Sequence, residues 1–128
     1  MTGSSSDTIG DASGETGEET GGHPTTTLND VVHQRVRLGI LTVLQETQRA
    51  DFGYLKSALE LTDGNLGRHI EILEKEGLVA STKGYQGRRP RTWVEITADG
   101  RRALATEMKA LKRLLTRFEH SQEPSAQD

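Results

Sequence analysis

The stretch of residues 62–97 constrains the fold of this chain more than any other. It opens with TDGNLGRHIEILEKEG, in which Thr62 can cap a helix and Asp63 places a negative charge at its positive end. Leu66, Ile70 and Leu73 recur at i, i+4 and i+7, one helical face, and Gly77 stops the helix in the usual C-terminal way. Two strand-type runs follow, 78–82 and 92–97, the second alternating Trp93 and Glu95 with Val94 and Ile96. Between them residues 83–91 carry Gly84, Gly87 and Pro90 and read as a long flexible hairpin tip bearing Lys83, Arg88, Arg89 and Arg91. A short helix joined directly to a basic hairpin must bury its single apolar stripe against further helices.

Those helices lie on either side. Asn29 or Asp30 is placed to cap a first helix reaching about Thr47, with Val36, Ile40, Val43 and Leu44 on one face and Leu38 and Leu41 off it. Residues 48–50 read as a connector. Asp51 can cap a short second helix whose Phe52, Leu55 and Leu59 face inward, with Glu60 and Leu61 as the turn. Thr97 starts a last helix in which Leu104, Met108, Leu111, Leu115 and Phe118 are spaced 4, 3, 4 and 3. This heptad seam is too short for a free coiled coil but long enough to pack against the core and a symmetry mate. The fold class expected is mainly α with a small β-hairpin wing, a winged helix-turn-helix.

Composition sets the limits of that unit. Residues 1–27 are almost entirely Gly, Ser, Thr, Asp and Glu, with Asp7, Asp11, Glu15, Glu18 and Glu19 and no Lys or Arg. Such a segment buries too little apolar surface to offset its ordering entropy, so a disordered acidic tail is expected over 1–27 and a flexible one over 120–128. The net charge of −3 hides a division. All 16 Lys and Arg lie in 28–119 beside twelve of the 19 acids, which leaves the core at +4 and the tails at −7. A basic domain with an acidic arm suits a nucleic-acid partner. There is no Cys, which excludes disulfides, thiol catalysis and cysteine-based sensing. His23, His33, His69 and His120 lack ligand spacing, and neither a phosphate-binding glycine loop nor a serine elbow occurs. The expectation is a non-enzyme with no metal and no cofactor. No apolar run has membrane-spanning length, and a soluble cytoplasmic protein is expected.

Helical geometry sorts the third helix, 62–76. With Leu66, Ile70 and Leu73 inward, a step of about 100° per residue turns Gly64, Asn65, Arg68, Glu71, Ile72 and Lys75 outward, with His69 at the boundary. Arg and Asn pair bidentately with guanine and adenine edges, so Asn65 and Arg68 are the leading base readers. Thr62 and His69 are candidate phosphate or flanking contacts, and Asp63 and Gly64 complete the candidate DNA-binding set of this helix. Gly64 and Gly67 each cost the helix about 0.5–1 kcal/mol relative to Ala, which close approach of a DNA strand or of a neighbouring helix would explain. Lys83, Arg88, Arg89 and Arg91 in the wing, 83–91, suit phosphate or minor-groove contact. Trp93 reads as packing at the wing's base. Arg35, Arg37, Arg101 and Arg102 read as solvated helix arginines.

The segments LNDVVHQRVRLGILTVL, ADFGYLKSAL, LTDGNLGRHIEILEKEGLV and GRRPRTWVEITADGRRAL closely resemble small single-domain winged helix-turn-helix transcriptional regulators akin to MarR and ArsR proteins. The resemblance covers about 28–115. It implies a homodimer joined by the first and last helices, here through Leu104, Met108, Leu111, Leu115 and Phe118. It also implies a pseudo-palindromic double-stranded DNA operator contacted by Asn65, Arg68 and the wing arginines. Metal-sensing ArsR relatives carry cysteines and paired histidines that this chain lacks; larger MarR proteins carry an added N-terminal helix and a long second dimer helix. A repressor is the favoured reading, because occluding a promoter needs no activation surface. Two alternatives stay open: a protein-interaction module, and a regulator controlled by a small-molecule effector at the dimer interface.

Overall fold

In the computed structural model, which describes residues 22–122, seven regular elements follow one another. They are α1 (Arg35–Thr47), β1 (Arg49–Asp51), α2 (Phe52–Leu59), α3 (Asp63–Lys75), β2 (Val79–Gln86), β3 (Arg89–Ile96) and α4 (Ala98–Gln122). The described residues divide into two units, 28–109 and a second made of 22–27 and 110–122. The second unit contributes a short 3-10 turn, Pro24–Thr27, and the C-terminal part of α4. Of the acidic tail expected over 1–27, residues 1–21 lie outside the described residues, as do 123–128 of the C-terminal tail; α4 continues through His120 to Gln122.

In the unit 28–109 the apolar stripes meet as expected. Val36, Ile40 and Leu44 of α1, Leu55 of α2, and Leu66, Ile70 and Leu73 of α3 join Val79, Val94 and Ile96 of the hairpin in one buried cluster. Leu41, off the predicted stripe, is buried too, so α1 is the central helix. α1 begins later than predicted. Asn29 Oδ1 accepts from Val31 N at 2.8 Å and Val32 N at 3.2 Å, which closes a local turn instead of starting a helix. Gln34 caps α1, its Oε1 accepting from Val36 N and Arg37 N at 2.8 and 3.0 Å.

The sheet corrects two expectations. The supposed connector is β1, an edge strand antiparallel to β3 in register Arg49↔Glu95, Ala50↔Val94 and Asp51↔Trp93, giving the order β1-β3-β2. The supposed long hairpin tip is a two-residue turn. Gln86 pairs with Arg89, and Gly87, at φ +64°, supplies the positive φ that a type II′ turn needs first. Lys83, Gly84, Pro90 and Arg91 therefore lie in paired strands. Pro90 is tolerated because it stands opposite Tyr85, one step past the hydrogen-bonded closing pair, while β1 reaches only as far as Trp93 on the other side.

Thr97 joins the sheet to α4. Its hydroxyl oxygen accepts from Gly100 N at 2.9 Å and donates to Gly77 O at 2.7 Å, while its backbone N–H donates to Leu78 O at 3.1 Å. The predicted dimer seam needs correction at its first member: Leu104 is 5% exposed and belongs to this unit's own core. Met108 is 38% exposed, and Leu111 is half-buried.

Gly100 is fixed by this junction. A Cβ there would lie 2.1 Å from Leu78 O and 2.8 Å from Ile96 Cγ1. Among the described residues, nothing lies within 4 Å of a Cβ added at Gly64 or Gly67 in α3. Gly100→Ala should therefore destabilise the protein by at least about 2 kcal/mol, whereas Gly64→Ala and Gly67→Ala should each stabilise it by about 0.5–1 kcal/mol. Urea denaturation midpoints of the three variants check this; a Gly100→Ala midpoint equal to wild type contradicts the close approach.

Candidate nucleic-acid interface

α3 presents the outer face that its sequence predicts. Thr62 caps it, Oγ1 accepting from Asn65 N at 3.1 Å. Gly64, Arg68, Glu71 and Lys75 fall at i, i+4, i+7 and i+11, one outward stripe, and all are exposed; Asn65 is exposed beside them. Arg68 makes no ion pair among the described residues. Asp63 is turned back toward α2, its carboxylate 3.1 Å from Lys56 Nζ. Among the described residues no neighbouring helix packs closely at Gly64 or Gly67, so such packing does not account for either glycine.

His69 is the correction on this helix. It is 7% exposed, with Nδ1 3.1 Å from Arg37 Nη1. A guanidinium only donates, so Nδ1 accepts and the ring proton is assigned to Nε2. Burial first, then the charges of Arg37 and Arg68, hold its pKa below the ordinary 6.5. Arg37, read from sequence as solvated, is a brace: its Nε also donates to Val31 O at 2.6 Å. Nothing local in the sequence announces this pair, because its members are 32 residues apart.

The wing residues divide in the same way. Lys83, Arg88 and Arg89 are exposed and unpaired among the described residues. Arg91 is half-buried and ion-paired through Nη1 to Asp51 Oδ2. The other oxygen, Asp51 Oδ1, accepts from Tyr54 N at 2.7 Å and caps α2. One carboxylate thus ties the wing to the start of the helix-turn-helix. A second tie is Glu74, whose Oε2 accepts from Ser81 N at 3.2 Å and Ser81 Oγ at 2.5 Å. Trp93 packs as expected, with the Arg49 guanidinium 4.3 Å from its ring centroid.

Between α3 and the wing lies an open groove of about 750 Å³, lined by Gly67, Glu71, Lys83, Arg89, Pro90 and Thr92 among others. A second concavity of about 490 Å³ runs along α3 between Arg68, Glu71, Ile72, Glu74 and Lys75. The surface offers Arg68, Lys75, Lys83, Arg88 and Arg89 as cations beside a helix with no side chain at Gly64 and Gly67, a shape and charge suited to a polyanion. Among the described residues no group of three or more His, Asp or Glu could hold a metal ion. No described helix is long and apolar enough to cross a membrane.

The comparisons agree with this geometry. Residues 36–115 match the family model described as a winged helix DNA-binding domain. An uncharacterized protein of Methanocaldococcus jannaschii is 42% identical over 66 residues, 52% of this chain and 72% of that protein. The structure of a transcriptional regulator homologue from Pyrococcus horikoshii is similar with TM-score 0.67 and 37% identity, covering 70% of this chain and 89% of that one. The transcriptional regulator MOSR of Mycobacterium tuberculosis, solved in complex with DNA, shares the fold with TM-score 0.60 and 20% identity, over 77% of this chain and 70% of that one. The resemblance to winged helix-turn-helix regulators is borne out, and the chain belongs to the winged helix DNA-binding domain family of transcriptional regulators.

Proposed function

We propose that this chain is a homodimeric, sequence-specific repressor that grips a pseudo-palindromic operator with α3 and the wing. The observation that carries the reading is the Asp51–Arg91 tie. It ties the wing to the start of α2 while Glu74 of α3 holds Ser81 of the hairpin, which leaves one surface on which Arg68, Lys83, Arg88 and Arg89 are without ion pairs among the described residues. The regulator MOSR, whose fold this chain shares, is solved with DNA bound. Asn65 and Arg68 read base edges, and Gly64 lets the helix backbone come close. Lys83, Arg88 and Arg89 hold phosphates, as does the Thr62 hydroxyl, which still has a proton to donate after accepting from Asn65 N. Arg91 and His69 act from behind, by holding the wing and α3 in place. Repression is the simpler mode, since occupancy alone blocks a promoter.

Arg68 and Arg89 separate reading from anchoring. Arg68→Ala should cost about 1–3 kcal/mol on the preferred site and flatten discrimination at one or two base pairs. Arg89→Ala should weaken specific and random DNA alike and lower the salt slope by about one unit. Fluorescence anisotropy across a salt series on both duplexes distinguishes them. If Arg89→Ala removes the preference while Arg68→Ala weakens both duplexes equally, the roles are reversed. If neither changes DNA affinity, a protein-docking role replaces this one.

The dimer is proposed from α4, which leaves Leu115 and Phe118 54% and 58% exposed. Solvated apolar side chains of this size on one helix favour a covering partner. Sedimentation at tens of micromolar should show a dimer that Leu115→Asp with Phe118→Asp converts to monomer; a monomeric wild type contradicts it.

A further inference from the structure

We propose that Glu71 is a specificity-determining residue that selects a cytosine in the operator, next to the guanine taken by Arg68. The inference rests on the reading of α3 as the helix that faces DNA. Most acids near this surface are engaged: Asp51 with Arg91, Asp63 with Lys56, Glu74 with Ser81. Glu71 is exposed and makes no ion pair or side-chain hydrogen bond among the described residues, although Lys75 stands one turn away on the same stripe. It sits at the middle of that stripe and lines both concavities, the groove shared with the wing and the one along α3.

The glycines share this explanation. A helical side chain covers the surface over the turn N-terminal to its own Cα. For Glu71 that turn begins at Gly67, where nothing lies within 4 Å of an absent Cβ. The carboxylate is thus placed over the turn that starts at Gly67, on the open side of the helix.

A carboxylate placed there meets DNA on unfavourable terms everywhere except at an amino group on a base edge. In the major groove those groups are cytosine N4 and adenine N6. Adenine places the N7 acceptor on the same base beside N6, which repels the second carboxylate oxygen; on cytosine the amino donor has only C5–H beside it on its own base, and the paired base contributes one neighbouring acceptor in both cases, guanine O6 or thymine O4. Glu71 therefore favours a C·G pair and opposes the alternatives, and it also weakens binding to random sequence, where only phosphates are offered.

The test is selection of sites from a randomised duplex library by the full chain, comparing wild type, Glu71→Ala and Glu71→Gln, with affinities then measured on the selected and random duplexes. Wild type should enrich a motif with cytosine at one position of each half-site. Glu71→Ala should keep the rest of the motif, lose roughly tenfold preference at that position, and bind random DNA more tightly. Glu71→Gln should move the preference from cytosine to adenine, since an amide can pair with N6 and N7 together. Identical motifs from all three proteins would overturn the inference while leaving the DNA reading intact. So would a gain in Glu71→Ala affinity that is equal on selected and random DNA, since Glu71 would then only repel. If wild type enriches no motif, base reading by α3 fails as a whole, Glu71 with it.

Discussion

The Asp51 carboxylate is the contact on which the geometry of this surface depends. A two-stranded hairpin is marginal alone in water, and its direction relative to the helices has to be imposed. Here β1 adds a third strand, and its last residue places one oxygen on the α2 N-terminus and the other on Arg91 of β3. The cap contributes about 0.5–2 kcal/mol. The ion pair, with Arg91 31% exposed, adds a fraction of a kcal/mol and mainly supplies direction. Glu74 on Ser81 fixes the opposite side of the hairpin against α3.

Behind that face lie groups that the DNA does not need to touch. Arg37 bridges the turn at Val31 to His69 of α3, so the inner side of α3 is held by a charged hydrogen bond as well as by Leu66, Ile70 and Leu73. Glu107, 1% exposed, accepts from Asn29 N at 2.9 Å and lies 2.6 Å from His33 Nδ1. It anchors the segment before α1 to α4. A carboxylate this buried is retained only where its oxygens are satisfied, as they are here.

What was legible in the sequence followed from local chemistry. The bounds of α3, its Thr62 cap, the Asp51 cap of α2 and the inward faces of the helices all rest on neighbours within a turn or two, and the structure reproduces them. What was not legible rests on distant partners. β1 is three residues, Arg49–Asp51, too short for an alternating pattern, and it exists because β3 lies beside it. Arg88, Arg89 and Arg91 are alike in sequence, yet register hands only Arg91 to Asp51. Gly84 and Pro90 look like breakers but fall where the hairpin tolerates them. No local pattern marks Gly100 at the start of α4, yet Leu78 O and Ile96 Cγ1 make it obligatory.

α3 and the wing are proposed to act together as one DNA-binding face. The most direct test of this is backbone amide chemical-shift mapping of the full chain titrated with duplex DNA carrying its preferred site. The shifts should gather in residues 62–72 and 83–91, with Arg49, Trp93 and the exposed face of α4 little affected. Shifts concentrated on the β1 edge or on α4, with Arg68 and Arg89 unmoved, would contradict it.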